Sequence, residues 1–493
     1  MIRQHLPALQ VIVPLLAAPL CVIVNRPRFA WLLSLVASWA TLGIALATLA
    51  QVLSVGAWSY EIGGWAAPWG IEYRIDTVGA FVLLIVSAIG ALVLPYAARS
   101  VAREIAAERI ALFYAAYLLC LAGLLGITAT GDAFNLFVFL EISSLSSYVL
   151  ISLGSDRRAL TAAYQYLIMG TIGATFILIG VGLMYMMTGT LNMIDLADRL
   201  PEVAQTRTVR AALAFLTVGI SLKLALFPLH LWLPNAYAFA PSVVTAFLAA
   251  TATKVAVYML LRFLFTVFGK ALSFEAMLLH LILVPLALVA VFSGSIVAVF
   301  QDNLKRMLAY SSVAQIGYII LGISFATVTG VTAGILHLFN HALMKAALFL
   351  ALGCLVYQLG SARLQDVAGL GRRMPWTFAA IIIGGLSLIG VPLTVGFISK
   401  WYLVLGALEG QMWWIAVLIL LGSLLAAAYI WRVVEAAFFQ PPPRRAQLYQ
   451  EAPLSLLVPT WALIAANIYF GVHTDLTVGV AQAAAERLIG GML

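Results

Sequence analysis

Charge is what this sequence has least of. Asp, Glu, Lys and Arg make up 9% of its 493 residues, against 64% hydrophobic. A soluble domain carries roughly 25% charged residues and needs polar groups to cover its surface, so a water-soluble globular protein is excluded. Long polar stretches are missing too. The longest, near residues 55–75, 188–210, 359–375 and 440–453, are loop-sized, and no soluble domain is expected. Cysteine is scarce: Cys21, Cys120 and Cys354 each sit inside an apolar run, without disulfide or metal-ligand spacing, and read as small core residues. There is no P-loop, no G-x-G-x-x-G opening a helix, no C-x-x-C and no haem-binding C-x-x-C-H. No cofactor is therefore expected. Any redox chemistry must belong to another chain, and this one is not expected to be an enzyme in its own right.

What the sequence has in abundance is apolar runs long enough to cross a bilayer. Fourteen segments stand out, near 6–24, 29–54, 76–98, 109–130, 133–153, 164–187, 211–232, 241–268, 277–300, 304–326, 330–358, 376–407, 411–439 and 454–472. The first follows Arg3 and His5 as a signal peptide would, but Asn25-Arg26-Pro27-Arg28 succeeds it in place of a small-residue cleavage site, so it reads as a retained helix. The fold class is thus an all-α integral membrane protein of about fourteen transmembrane helices.

The net charge of +8 would suit a nucleic-acid binder, but its distribution suits a membrane. With the first terminus outside, the odd-numbered loops are cytoplasmic and hold 15 of the 27 Lys and Arg, among them Arg26, Arg28, Arg372, Arg373, Arg444 and Arg445. Acidic residues such as Glu61, Glu72, Asp76, Asp195, Asp198 and Glu202 fall on the other side. This is the positive-inside asymmetry. It places both termini on the outer side and predicts a multi-pass protein of the bacterial cell (inner) membrane.

Two segments are interrupted by proline: the seventh at Ser221-Leu222-Lys223-Leu224-Ala225-Leu226-Phe227-Pro228-Leu229, the twelfth at Gly385-Leu386-Ser387-Leu388-Ile389-Gly390-Val391-Pro392-Leu393. Interior proline removes a hydrogen bond and breaks the helix, and a broken helix in lipid must face protein or a watery cavity. Matching interruptions in two halves point to a transporter with internal repeats, here segments 4–8 and 9–13. Tyr258 with Arg262 closing segment 8, against Tyr429 with Arg432 closing segment 13, is a second echo. The chain divides into 1–108 (helices 1–3), 109–268 (first repeat), 277–439 (second repeat) and 440–493 (helix 14 and tail). Pro441-Pro442-Pro443-Arg444-Arg445 reads as a stiff cytoplasmic connection.

Five ionisable residues lie within apolar segments, Glu141, Lys223, Lys254, Lys345 and Lys400, joined by His337 and His341. A charge at a helix centre costs about 2.5–3.5 kcal/mol on insertion scales, so such residues default to a functional reading. Glu141 shares its face with Ser144 and Tyr148 at i+3 and i+7. No cation lies within a turn, so its partner must come from another helix; the alternative is an ion pair serving assembly only. Burial disfavours a lysine's charge and a carboxylate favours it. A lysine whose acidic partner moves toward and away can therefore load and release a proton, a role closed to the always-charged arginine. Lys223 precedes the Pro228 break by five residues. Lys254 has Thr251 at i−3 and Tyr258 at i+4, and His337, His341 and Lys345 form one stripe at i, i+4, i+8. The two histidines have the spacing of a zinc pair but no third ligand nearby. They read as a hydrated proton relay or as hydrogen bonds between helices, with no metal expected. Lys400, beyond the Pro392 break, either snorkels to the interface or ends the relay. His230 supports the first break or is a loop histidine, Glu435 beside Arg432 reads as a local pair, and Asp132 caps segment 5.

Across roughly residues 109–440 the chain resembles the antiporter-like family shared by Mrp-type cation/proton antiporters, respiratory complex I and membrane-bound hydrogenases. The resemblance rests on Thr130-Gly131-Asp132 through Leu140-Glu141, Lys223 through Pro228-Leu229-His230-Leu231-Trp232-Leu233-Pro234-Asn235-Ala236-Tyr237, His337 through His341-Ala342-Leu343-Met344-Lys345, and Gly390-Val391-Pro392 through Ser399-Lys400. It implies fourteen helices, inverted repeats, broken helices 7 and 12, a Glu141–Lys223 pair controlling proton loading, a central axis of Lys254 and the helix-11 histidines, and Lys400 as the terminal site of the other half-channel. Asn135-Leu136-Phe137-Val138-Phe139 and Leu233-Pro234-Asn235-Ala236-Tyr237 look most like the D subunit of Mrp antiporters, as does the short C-terminus; Ala133, where leucine is usual, is a minor departure. The implied function is proton translocation within a multi-subunit monovalent cation (Na+)/proton antiporter, with other membrane subunits, the bilayer, protons and a cation as partners and no nucleic acid. The alternative is the proton-pumping membrane subunit of a redox-driven complex I-like or hydrogenase-like complex.

Overall fold

A computed structural model describes residues 2–442 and 449–490. Among the described residues are eighteen α-helices, a few short 3-10 and π turns and one short hairpin. The helices are α1 (Leu6–Val24), α2 (Pro27–Val55), α3 (Thr77–Glu104), α4 (Ile110–Ala129), α5 (Ala133–Ser152), α6 (Arg158–Thr188), α7 (Met193–Val203), α8 (Arg207–Leu224), α9 (Leu233–Phe239), α10 (Ser242–Leu261), α11 (His280–Val299), α12 (Leu304–Ser324), α13 (Val328–Leu359), α14 (Pro375–Ile389), α15 (Val395–Glu409), α16 (Trp413–Phe439), α17 (Leu454–Val472) and α18 (Asp475–Gly490). Among the described residues, twelve helices are long and apolar enough to cross a membrane. The seventh and twelfth expected segments are not among them: the seventh holds α8, which carries Arg207, Arg210 and Lys223, and the turn that leads to α9, and the twelfth is split into α14 and α15 of 15 residues each.

Both interruptions satisfy the backbone groups they expose. At the first, Ala225 adopts φ 60°, the amide of Leu226 donates to Ser221 O at 3.0 Å, and the Trp232 indole donates to Leu222 O at 2.9 Å. At the second, Gly390 turns at φ 91° and the amides of Gly390 and Val391 donate back to Leu386 O, each at 3.0 Å. This meets the requirement that backbone polar groups in lipid find partners within the protein.

Helices α3, α4, α10, α12 and α13 form the inside of the bundle, with α13 packed on α10, α12, α14, α15 and α17. Helices α1, α2, α6, α11 and α16 are less than half buried although just as apolar, the arrangement expected where lipid covers the outer face. Two stretches that read as loops carry regular structure. Trp58–Glu61 and Glu72–Ile75 pair as antiparallel strands β1 and β2, and α7 lies within 188–210. The tail likewise holds α18, which packs on α13 and α3. Short elements at chain ends are set by tertiary contact more than by hydrophobic period, so a loop-sized polar stretch does not reveal them. Pro443, Arg444 and Arg445 of the expected cytoplasmic connection lie outside the described residues.

Candidate functional site

The partner that Glu141 needs from another helix is Lys223. Its Nζ lies 3.8 Å from Glu141 Oε1 across the α5–α8 interface and 2.9 Å from Ser144 Oγ, to which it donates. The lysine side chain is 3% exposed and the glutamate 29%. Asp132 caps α5 below them, accepting from the Asn135 amide at 2.7 Å.

Lys254 is buried at the centre of α10. Its hydrogen bonds go to Ala249 O and to Thr253 Oγ1 at 3.3 Å, not to Thr251 or Tyr258, the polar residues that helical spacing offered. Thr251 is bound to Phe247 O, and Tyr258 donates to Thr128 O. On α13 the three-residue stripe is entirely buried. The rings of His337 and His341 stack with centroids 6.1 Å apart. His337 is held at both ends, Nδ1 2.7 Å from Ser399 Oγ and Nε2 2.9 Å from Gln315 Oε1. Neither ring nitrogen of His341 has a hydrogen-bond partner among the described residues. Lys345 turns toward α12, donating to Leu308 O at 2.8 Å and to Ser311 Oγ.

Lys400 does not snorkel. It reaches back from α15 to the C-terminal end of α14, donating to Leu388 O and Ile389 O at 2.9 Å each and to Ser423 Oγ at 2.8 Å. It thus binds carbonyls that the Gly390 turn leaves free, where a cation also complements the helix dipole. The ammonium stands 4.9 Å over the Tyr318 ring, and Tyr318 packs edge-on to His337 at 5.9 Å. Among the described residues, Lys254, Lys345 and Lys400 have no carboxylate within ion-pair distance.

All of these groups fall in residues 130–426, which match the family model described as NADH:quinone oxidoreductase/Mrp antiporter, TM. The chain belongs to this family. It is 43% identical over 487 residues to a protein of Desulforudis audaxviator named NADH-quinone oxidoreductase subunit N, covering 96% of each chain. It is 30% identical to a protein of Alkalihalophilus pseudofirmus named as the D subunit of an Na(+)/H(+) antiporter, over 89% of this chain and 88% of that one. Its fold matches a chain in the structure of the Mrp complex from a Dietzia species with a TM-score of 0.91 at 26% identity, covering 100% of this chain and 98% of that one.

In this NADH:quinone oxidoreductase/Mrp antiporter chain, several polar side chains join the buried groups that ionisable residues alone did not single out. Gln315 and Ser311 on α12, Ser399 on α15 and Ser423 on α16 each bond one of them. Only Ser399, adjacent to Lys400, had a hint in sequence; the others are neutral residues on other helices. The two members of the Tyr–Arg echo differ: Arg262 bonds its tyrosine, Tyr429 Oη has no hydrogen-bond partner among the described residues, and each arginine clamps another segment. Arg262 bonds Tyr258 at 2.9 Å and pairs with Asp76 through both carboxylate oxygens. Arg432 pairs with Asp302 at 3.4 Å and bonds Val299 O and Gln301 O. The expected local pair of Arg432 with Glu435 is therefore absent: the guanidinium reaches across to the α11–α12 turn, whose free carbonyls and aspartate offer more acceptors. His230 stacks on Phe227 at 5.3 Å inside the first break.

Proposed function

We propose that this chain is the proton-translocating subunit of a multi-subunit monovalent cation/proton antiporter, with Na+ as the cation. The observation that carries the reading is the set of buried lysines held only by neutral oxygens, beside one lysine that faces a carboxylate. Burying an unpaired charge is costly, so a lysine kept inside a membrane bundle without a counter-charge is best explained by proton exchange. Glu141 and Lys223 would control loading. Lys254, His341, His337 and Lys345 would form the central relay, the two bare nitrogens of His341 being free to bond water or a passing proton, and Lys400 would be the terminal site. Pro228 and Pro392 would set the two breaks that bring Lys223 and Lys400 into the axis. Segments 4–8 and 9–13 would be inverted repeats, 109–268 and 277–439, flanked by 1–108 and 440–493. The two arginine clamps close segments 8 and 13, at the ends of α10 and α16, which fall on opposite faces in the positive-inside orientation and so support inversion. That orientation would leave both termini outside the bacterial inner membrane.

Replacing Lys223 by Ala tests conduction. Cation-dependent proton flux in vesicles should be lost while membrane insertion and assembly stay normal; full flux would refute the reading. Glu141→Ala should behave the same way, whereas failed assembly would return the pair to a structural role. The 43% identity to a protein named NADH-quinone oxidoreductase subunit N favours a second reading, a proton-pumping subunit of a redox-driven complex. Gentle purification of the tagged chain separates the two. Membrane subunits alone support the antiporter; iron–sulfur, flavin or nickel proteins support the pump.

A further inference from the structure

Lys223 has two oxygens within reach and sits on the neutral one. Its ammonium is 2.9 Å from Ser144 Oγ and 3.8 Å from Glu141 Oε1, a buried atom that has no hydrogen-bond partner among the described residues. Charge alone would draw the pair together to roughly 2.7–2.9 Å. Beside Lys223, α6 and α8 meet glycine on glycine, where a Cβ on Gly173 would lie 3.1 Å from Gly219 O. Ser144 and Glu141 stand one turn apart on the same face of α5, so a rotation about the lysine's outer carbons carries the ammonium from one oxygen to the other. Beside the lysine is a cavity of about 20 Å³, lined in part by Ser143, Ser144, Ser147 and Tyr166, enough for about one water.

We infer that Ser144 is a positioning residue that seats Lys223 away from Glu141, making the pair a two-position switch. The inference rests on the proposed proton-carrying role of Lys223. The chemistry of the hydroxyl suits it to the task. It accepts a hydrogen bond from the charged ammonium and donates one to the lone pair of the neutral amine, so it holds the side chain in either protonation state. An ionised carboxylate only accepts, and favours the charged lysine alone. Ser144 is thus the seat from which the proton leaves, and Glu141 the seat at which the charged form is held.

The test uses the full complex purified with its native partners and reconstituted into liposomes. Ser144→Ala removes the seat and Ser144→Thr keeps a hydroxyl. Proton flux in Ser144→Ala should fall by about tenfold or more, the effect of losing one hydrogen bond to a charged group, with Ser144→Thr restoring most of it. The infrared band of the Glu141 carboxylate, assigned by its loss in Glu141→Gln, should shift in Ser144→Ala and stay in place in Ser144→Thr. Wild-type flux and an unmoved band in Ser144→Ala, with Lys223→Ala inactive, would overturn the switch and leave the proposed function standing. Loss of flux in both serine variants without a band shift would make Ser144 a structural residue, and also overturn it. Activity in Lys223→Ala would remove the proposed function itself, and the switch with it.

Discussion

The four lysines buried within apolar segments differ in what holds them. Lys400 uses three donors on three oxygens, Leu388 O, Ile389 O and Ser423 Oγ, whereas Lys223 has one short bond and a distant carboxylate. A neutral amine has only two N–H groups, so Lys400 can release a proton only by giving up one of its bonds. Lys400→Arg separates a capping role from a proton-carrying one. Arginine keeps a permanent charge and several donors but does not deprotonate. We expect the variant to assemble and to lose proton flux in liposomes; retained flux would reduce Lys400 to a helix cap. Lys400→Ala should also destabilise the fold, since each hydrogen bond to a charged group contributes about 1.5–3 kcal/mol, and detergent thermal denaturation would register the loss.

At the scale of the element, the two breaks reach the same end by different means. The first relies on a tryptophan from beyond the turn, whose indole serves Leu222 O while its ring stacks on Tyr166 at 3.8 Å. Trp232→Phe keeps the stack and removes the shorter of two bonds to Leu222 O, leaving it only the Ala225 amide at 3.3 Å; losing one hydrogen bond costs about 0.5–1.5 kcal/mol, and a lower melting temperature of the purified complex is the expected result. The second relies on Gly390, where φ is 91° and an added Cβ would lie 3.0 Å from Lys400 Cδ. Gly390→Ala should cost about 1–2 kcal/mol in backbone strain alone and displace Lys400, lowering flux as well as stability.

For the whole molecule, the Asp76–Arg262 clamp joins the start of α3 to the end of α10, elements almost two hundred residues apart in sequence. The Asp76 carboxyl also caps α3, accepting from the Gly79 amide at 2.9 Å. Burial pushes this carboxyl up, but the Arg262 guanidinium and the Gly79 amide outweigh burial and hold it below the ordinary carboxylate range. A carboxyl lowered in this way stabilises the folded state fully at pH above its unfolded value and loses that contribution as pH falls toward its folded one. Asp76→Asn should therefore lower the melting temperature at neutral pH and narrow its gap to the wild type as the medium is acidified below about pH 4. A gap independent of pH would mean that the ion pair adds nothing beyond the cap.

Sequence by itself determined the membrane class, the apolar segments, the two proline-marked breaks and the charges that lie inside apolar runs, though not every buried charge: Glu72, Arg262 and Lys305 are buried as well. These follow from local composition: an apolar run must span, and a lysine in a run has nowhere polar to go along its own helix. It also required that Glu141 find its cation elsewhere. Tertiary structure decided which groups meet. Lys223 reaches Ser144, Lys254 turns to its own backbone and away from Tyr258, Lys400 binds the broken end of α14, and Arg432 passes over Glu435 for Asp302. These choices depend on how α5, α8, α12, α15 and α16 pack, and on where a turn leaves carbonyls unpaired. Helical spacing, which reports one helix at a time, carries no record of either.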